Sequence, residues 1–482
     1  MKFYNSKFIA LTGLMTFGIV GQQNSFSNEN ENSSLPNIII IFTDDQGYGD
    51  LASYGNTAMS TPNTDRMAAE GMRFTDFYVA AGVCTPSRAA LLTGCYPKRL
   101  SLAHRVLFPY STTGLNPEEV TIADMLKERG YATGIFGKWH LGHHLPFLPT
   151  RQGFDYYFGI PYSNDMAHLN YQQADDFLVS TLPLFRNEEV IEADPDQRYL
   201  TSRCTEEAIN FITAHRDGPF FVYLPHAMPH VPIASSHHFN GKSDYGLYGD
   251  VIEEIDWSVG VILDHLETLG LDDNTMVIFT SDNGAQQWEG EGGWVWTPDR
   301  IGRPARGKIS YPHGSNGPLR GAKNSTWEGG MRVPFIVRWP AKIPAGRVSG
   351  KLITAMDLLP TIARITGSEV PDDRIIDGHD ILHILSGEEN AKSPYEAFYY
   401  YRDDRLQAVR SEKWKLHVFR PGTGATRILY DLEADIGETT DVSEQYPDVV
   451  KLLEALAEKA REDMGDLATG REGKNVRPIG EL

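Results

Sequence analysis

Cysteine is scarce in this chain: three residues, at 84, 95 and 204, in 482. That excludes a disulfide framework, and an odd count leaves at least one cysteine without an intramolecular partner. Positive charge is also short, with 44 Lys and Arg against 64 Asp and Glu, a net −20. A chain this acidic lacks the basic face that nucleic acid requires, so no nucleic-acid partner is expected. It also suits an anionic ligand poorly unless its positive charge is gathered at one point. No stretch after the N-terminus is long and apolar enough to span a bilayer, and internal repeats are absent. What is present is a globular composition, 41% hydrophobic. The length suits two or three domains, or one large α/β domain with an appendage.

The N-terminus reads as a signal peptide over residues 1–27. Lys2 and Lys7 form a short basic region, Phe8 to Val20 carries no charge, and the polar run Gln22–Ser34 follows. The uncharged run is shorter than the ~20 residues of a membrane span. A buried N-terminal helix is the competing reading. Cleavage removes two lysines and no acid, bringing −20 to −22. The expectation is an exported protein, periplasmic or secreted.

Strands alternate with helices along most of the chain. Asn37–Thr43 (NIIIIFT) is a continuous apolar run of the kind buried on both faces of a sheet. Val120–Arg129 has helical spacing and stops at Gly130, and Thr133–Gly137, Phe220–Leu224 and Met276–Thr280 read as further strands. Ile252, Ile255, Val259, Ile262, Leu266 and Leu269 recur at three- and four-residue steps, an amphipathic helix closed by Gly270. This pattern predicts an α/β fold, a large and mostly parallel sheet covered by helices on both faces. Beyond about residue 385 the texture changes. Ala397–Tyr401, Leu406–Val409 and Lys413–Val418 read as strands and Asp448–Arg461 as a helix. The expected organisation is a catalytic domain over 36–385 and a smaller C-terminal α+β subdomain with an antiparallel sheet over 386–482. Residues 285–320 form a long stretch of little periodicity, which inside a compact domain is usually functional.

Ligands of open α/β sheets bind outside the carboxyl ends of the strands. There the first strand ends in Asp44-Asp45 and the fourth in Asp282-Asn283-Gly284. Three carboxylates and an amide oxygen make a hard donor set suited to Ca²⁺ or Mg²⁺. Turn and N-cap service is the competing reading for either pair alone. The second strand leads into Lys138 and His140, and the third into His226 and His230. Acids for a cation, a lysine and histidines on one sheet edge form the layout of a metal-assisted hydrolase for an anionic ester.

The most specific segment is Gly82–Gly94, GVCTPSRAALLTG. Pro86 suits the first turn of a helix. Cys84 then sits at the helix N-terminus, where the dipole favours an anion or thiolate, with Arg88 one turn on. A reactive cysteine and a small buried cysteine capping a helix both fit this pattern.

Cys84-Thr85-Pro86-Ser87-Arg88 with Leu92-Thr93-Gly94 resembles the signature of the type I, formylglycine-dependent sulfatases of the alkaline phosphatase superfamily. Gly130-Tyr131-Ala132-Thr133 through Gly137-Lys138-Trp139-His140-Leu141-Gly142 resembles the family's second signature. Asp44-Asp45, Pro229-His230-Val231-Pro232, Asp282-Asn283-Gly284, Leu319-Arg320-Gly321-Ala322-Lys323 and Glu328-Gly329-Gly330 match in order, over about residues 36–365, and Tyr430-Asp431-Leu432 adds a C-terminal match. The resemblance implies an alkaline-phosphatase-like sheet sandwiched by helices. It also implies that Cys84 is oxidised to formylglycine (3-oxoalanine) by a formylglycine-generating or maturase enzyme. Asp44, Asp45, Asp282 and Asn283 match Ca²⁺ ligands, with modified Cys84 beside the ion and Mg²⁺ the less favoured cation. By the same resemblance, a hydroxyl of the hydrated formylglycine attacks sulfur, helped by Asp282 and the metal. His230 protonates the leaving oxygen, and Lys138 and Lys323 hold sulfate oxygens. His140 acts as the base that lets sulfate leave by elimination, and Arg88 stabilises the deprotonated diol.

The substrate is less constrained. Trp288, Trp294 and Trp296 lie after the second acid pair, where they suit either sugar stacking or loop packing. His104, His143, His144, His168, His226 and His313 are candidate sugar or sulfate contacts. Export and the long loop favour a sulfated poly- or oligosaccharide. The segment from Gly114 to Gly142 is most similar to the arylsulfatase and N-acetylgalactosamine-6-sulfatase branch. Two alternatives stand beside this: a phosphonate or phosphate monoester hydrolase on the same fold, and a sugar-binding pseudoenzyme. Cys95 and Cys204 read as buried structural residues.

Overall fold

The computed structural model describes residues 35–104, 106–166, 181–287 and 314–482. The expected signal peptide, His168, His313, Trp288, Trp294 and Trp296 lie outside the described residues. No helix among the described residues is long and apolar enough to cross a membrane. Residues 35–482 pack as one compact unit.

Its centre is a mixed sheet of ten strands among the described residues. Five parallel strands form the middle, in the spatial order Thr275–Ser281, Asn37–Thr43, Phe220–Pro225, Ala132–Lys138, Tyr156–Ile160. Antiparallel strands flank them, Phe335–Arg338 on one side and Pro183–Arg186 with Glu189–Ala193 on the other. The four strands read from sequence are four of the five in the parallel middle. Tyr156–Ile160 (YYFGI) is a run of the same kind that the periodicity reading passed over, whereas the flanking strands are short or polar and are set by pairing to the middle.

The first strand explains its own composition. Ile38, Ile40 and Phe42 join the hydrophobic core on one face of the sheet, and Ile39 and Ile41 join the core on the other. A strand wet on one face would alternate; this one has two apolar faces because helices cover both. Cys84–Thr93, Ile122–Glu128 and Leu358–Thr366 contribute to the first core, and Leu200–Ala214 and Gly246–Leu269 to the second. The Ile122–Glu128 helix starts two residues later than the periodicity suggests because Thr121 caps it, its side chain accepting from the Asp124 amide. Gly270 ends the Gly246–Leu269 helix at a φ of 68°.

The C-terminal part holds a four-stranded antiparallel sheet, Phe398–Arg402, Arg405–Ser411, Trp414–Arg420 and Gly424–Asp431, with the Pro447–Met464 helix against it. The fourth of these strands was not expected; its residues are mostly half-exposed, so no apolar run marks it. This sheet is tied to the rest through buried charge. Glu328 receives Lys415 Nζ at 2.9 Å and Tyr400 Oη at 3.0 Å, and Lys415 also reaches Glu438 at 2.8 Å. The side chains of Lys415, Glu328 and Glu438 are all fully buried.

Candidate active site

Parallel register brings the two acid pairs together. Thr43 lies opposite Ser281, so Asp44 and Asp45 leave the first strand beside Asp282 and Asn283. The Asp45 amide donates to Asp282 Oδ1 at 3.1 Å. Asn283 Nδ2 donates to Asp45 Oδ1 at 2.8 Å and to the Gly284 carbonyl at 3.0 Å. The backbone at Asp45 is left-handed, with a φ of 68°, a strained state that clusters at functional sites. Residues 319–330 close the site from the side. A Cβ on Gly284 would lie 1.7 Å from the Gly329 carbonyl oxygen, so only glycine admits that approach. The Lys323 amide then bonds the Ala285 carbonyl at 3.1 Å, which aims Lys323 inward.

Positive charge converges on these acids. Arg88 Nη2 lies 2.9 Å from Asp282 Oδ2 and 3.5 Å from Asp44 Oδ2, while its Nη1 donates to the Lys138 carbonyl at 2.9 Å. Lys138 Nζ bonds Asp44 and also Ser163 Oγ at 3.1 Å. Lys323 Nζ is 2.8 Å from the Asp45 carboxylate, and His230 Nε2 is 3.7 Å from it. Gly137 permits this layout, since a Cβ there would lie 1.9 Å from the Pro225 carbonyl oxygen. Three carboxylates face three permanent cations, all buried except Lys323, which is partly exposed. The rim is formed by Lys323 and His230, whose side chains are 12% and 6% exposed, while those of Asp44, Arg88 and Lys138 are at 0%.

Electrostatics follow from this burial. Burial alone would push Asp44 up, but Lys138, His230 and Arg88 outweigh it and hold its carboxyl well below the usual range. Asp282 is pushed up to about 7 by burial and then by the charge of Asp44, against Arg88. Two buried acceptors, Asp44 Oδ1 and Asn283 Oδ1, have no hydrogen-bond partner. Ligand atoms of Asp44, Asp45 and His230 lie within 4.8 Å of one another. Unpartnered buried oxygens beside a carboxylate driven upward are what a hard cation would satisfy, so the residues present fit Ca²⁺ or Mg²⁺.

Cys84 is the first residue of the Cys84–Thr93 helix and is buried. The helix dipole favours an anion or a thiolate at this position. Burial prevails instead and pushes the thiol up to about 11, against the pull of Lys138 and Lys323. An unmodified Cys84 is therefore a neutral thiol at neutral pH and a weak nucleophile.

The two histidines differ in which nitrogen is bare. His140 Nε2 lies 2.9 Å from the Leu107 carbonyl, which only accepts, so Nε2 carries hydrogen. Its Nδ1 is buried and unpartnered, with a lone pair ready to take a proton. Burial, then Lys138 and Arg88, keep this ring well below the ordinary imidazole value. His230 Nδ1 lies 2.6 Å from the Val231 carbonyl, which leaves Nε2 facing Asp45. Burial and Lys323 lower it as well.

The structure thus gathers Asp44, Asp45, Cys84, Arg88, Lys138, His140, His230, Asp282, Asn283 and Lys323. The other expected contacts have partners of their own. His226 is 1% exposed and shares a hydrogen bond with Ser258 of the Gly246–Leu269 helix at 3.2 Å, with burial pushing it down to about 4. Its position is that of a packing residue, because the Gly246–Leu269 helix covers the strand it follows. The His143 ring lies 4.1 Å from that of His144, tilted by 39°, and meets Tyr162 edge-on. His104 is exposed and reaches Asp404 at 3.5 Å. Cys95 and Cys204 are both buried, as expected. Sequence reasoning missed Ser163, whose hydroxyl touches Lys138 and lies 3.5 Å from His230 Nδ1. It follows the Tyr156–Ile160 strand, and reading YYFGI as a strand would have exposed it. Thr85, within the Cys84–Arg88 run, also contributes: its Oγ1 donates to the His140 carbonyl at 2.8 Å.

The chain is similar to known proteins over most of its length. The sulfatase family profile matches residues 36–368, and a profile for the N-sulphoglucosamine sulphohydrolase C-terminal region matches 322–463. The chain is 40% identical to N-acetylgalactosamine-6-sulfatase of Canis lupus familiaris over 79% of its own length and 71% of that protein's. It is 37% identical to human arylsulfatase A over 87% of each chain. A solved structure, described under the metabolism of multiple glycosaminoglycans by Bacteroides thetaiotaomicron, superposes with a TM-score of 0.73 at 32% identity, covering 89% of this chain and all of the other. A profile spanning most of the chain, relatives aligned over most of their length and a shared fold lead to one conclusion: the chain belongs to the sulfatase family and is a sulfuric ester hydrolase.

Proposed function

We propose that this protein removes sulfate from a sulfated oligo- or polysaccharide, with Cys84 converted to 3-oxoalanine by a formylglycine-generating or maturase enzyme and Ca²⁺ held by Asp44, Asp45, Asp282 and Asn283. The observation that carries the reading is the placement of Cys84 at a helix start beside Lys138, Lys323 and the buried acids, with its own thiol driven up to about 11. The hydrated aldehyde supplies an oxygen nucleophile where the thiol supplies none at neutral pH. The cation supplies charge stabilisation in a site whose carboxylates and fixed cations otherwise balance.

The chain's own residues have distinct tasks. Lys323, on the rim, and Lys138 below it hold sulfate oxygens and stabilise charge that develops on them. Arg88 locks Asp282 and Asp44 in place from beneath. His140 receives a proton at Nδ1, and His230 delivers one from Nε2 to the departing sugar oxygen. An arriving sulfate ester favours the protonated form of His230, which burial and then Lys323 oppose in the free protein. The saccharide class is supported by the relatives, one named for N-acetylgalactosamine 6-sulfate and one described under glycosaminoglycan metabolism. Residues 1–27 act as an export signal in this reading, which places the protein in the periplasm or outside the cell.

Mass spectrometry of the Cys84 peptide from native host cells, together with a desulfation screen on defined sulfated oligosaccharides, tests the proposal. The expected results are the aldehyde mass at Cys84, sulfate release from a saccharide, and an inactive, folded Cys84→Ala protein. An intact thiol in an active preparation would overturn the mechanism.

A further inference from the structure

The stretch 285–320, notable in the sequence for its lack of periodicity, holds an enclosed polar side chain that the proposed chemistry does not use. Asn316 is 1% exposed. Its Oδ1 accepts from the Ala285 amide at 2.8 Å, and its Nδ2 donates to the Gly321 carbonyl at 3.0 Å. An amide N–H only donates and a carbonyl only accepts, so these two partners fix which way the side chain points. Ala285 comes two residues after Asn283, and Gly321 two residues before Lys323. The Lys323 amide completes a ring by donating to the Ala285 carbonyl at 3.1 Å. Asn316 thus bridges the strand end that bears Asp282 and Asn283 to the segment that bears Lys323.

Asn316 is itself held from the first strand. Asp50 accepts from the Ser315 amide at 2.6 Å, the Gly47 amide at 2.7 Å and the Tyr248 hydroxyl at 2.6 Å. The Gly49 amide donates to the Ser315 carbonyl at 2.7 Å. A Cβ on Gly47 would lie 2.2 Å from that carbonyl oxygen, so the two backbones touch. The residues that follow Asp44-Asp45 therefore seat the turn at Ser315-Asn316. Lysine carries a point charge on a flexible four-carbon stem, so where its charge sits depends on how firmly its backbone is held. Both ends of the Asn316 side chain are spent on backbone groups, and any effect on sulfate runs through Lys323.

Resting on the role of Lys323 given above, we propose that Asn316 is a positioning residue for sulfate ester hydrolysis: it fixes the Lys323 backbone against the Asp282-Asn283 strand end, so that the ammonium group meets a sulfate oxygen. The role is independent of which sugar carries the sulfate.

A double-mutant cycle tests this with p-nitrophenyl sulfate turnover and inorganic sulfate binding by calorimetry. Lys323→Ala should lower kcat/KM about 10²–10³-fold. Asn316→Ala should lower it about 10- to 100-fold, as a shift of about 1 Å can do. Added to Lys323→Ala, Asn316→Ala should cost less than about threefold more. The Kd for sulfate should rise in each single variant and no further in the double. Tm should fall equally with Asn316→Ala in both backgrounds, which separates the structural cost from the kinetic one. Should Asn316→Ala fail to fold, Asn316→Asp carries the cycle, because it keeps an acceptor for the Ala285 amide and sets an oxygen against the Gly321 carbonyl. Losses that multiply in the double variant would overturn the proposal, as would Asn316 variants with the parent kcat/KM and sulfate Kd. If Lys323→Ala itself changes neither turnover nor sulfate binding, the role of Lys323 fails and this inference falls with it. An effective Lys323→Ala beside a silent Asn316→Ala overturns the positioning alone.

Discussion

Replacing Lys415 by methionine tests the buried charge that joins the C-terminal sheet to the segment bearing Lys323. In the parent, Lys415 Nζ lies 2.9 Å from Glu328 and 2.8 Å from Glu438, and donates to the Thr326 carbonyl at 2.8 Å. Methionine fills similar volume but leaves two buried carboxylates without the cation between them. Breaking a buried pair by removing one partner costs about 3–5 kcal/mol. Glu328 keeps Arg332 at 3.5 Å, Arg410 at 4.0 Å and Tyr400 at 3.0 Å, which offsets part of the loss. Glu438 keeps only His417 at 3.1 Å and the Glu328 amide at 2.8 Å. The expectation is therefore the lower end, ~3 kcal/mol. Urea unfolding reads it as a midpoint lowered by up to ~1 M with an unchanged slope, for a chain of this size. The cost should also depend on pH. Burial opposes the charge on Glu328, yet Lys415, Arg410 and Arg332 outweigh it and hold the carboxyl below its ordinary value. A depressed acid contributes stability above its unfolded pKa and loses it as pH falls. The gap between parent and variant should accordingly hold from pH 7 down to about 4.5, the ordinary value, and narrow below it. Because Glu328 closes the segment that carries Lys323, sulfatase activity should fall as well. A midpoint within about 0.2 M of the parent, with the slope unchanged, would refute the reasoning.

Three other outcomes are expected. His230→Ala should lower kcat on sugar sulfates by about 10²–10⁴ and on p-nitrophenyl sulfate much less, since only the sugar oxygen needs a proton to leave; equal losses on both would remove His230 from that task. Chelation by EGTA should abolish activity and lower Tm, with Ca²⁺ restoring both; a bound ion at a hundredfold excess over its Kd adds ~2.7 kcal/mol, and an unchanged Tm and rate would argue against the cation site. Glu254 accepts from the Ser236 amide through Oε2, its Oε1 is buried without a partner, and burial pushes it up to about 7. A raised acid loses stability as pH rises through the window between its unfolded and folded values, here from about 4.5 to about 7. Glu254→Gln mimics the protonated form, so it should raise Tm at pH 8, with at most ~3 kcal/mol at stake, and change little at pH 4.5; calorimetry showing equal shifts at both values would contradict this.

Much of the site was legible because strand ends are local signals. NIIIIFT and MVIFT announce buried strands, and the acids that follow them must emerge on the carboxyl edge of the sheet. The Cys84–Arg88 run and the Gly137–His140 run are likewise continuous in sequence, so residue order alone names their groups. Lys323 was recognised from its motif, but its approach to Asp45 depends on contacts between residues 278 positions apart. His226 shows the limit of the strand-end rule. It follows a parallel strand as His230 does, yet the Gly246–Leu269 helix claims it.

The sequence by itself determined which chemical groups exist and along which strands they emerge: an acid pair after each of two parallel strands, a helix opening on Cys84, and lysines and histidines on the same edge. The tertiary structure decided what those groups do to one another. Packing removes water from Cys84, so burial outweighs the two lysines and the helix dipole, and the thiol stays neutral. It brings Ser163 beneath Lys138 and the Leu107 carbonyl onto His140, and no local pattern foretells the second contact. The net charge of −20 describes the chain as a whole, whereas the field at the site comes from Arg88, Lys138 and Lys323, and only folding sets those distances and the dielectric between them.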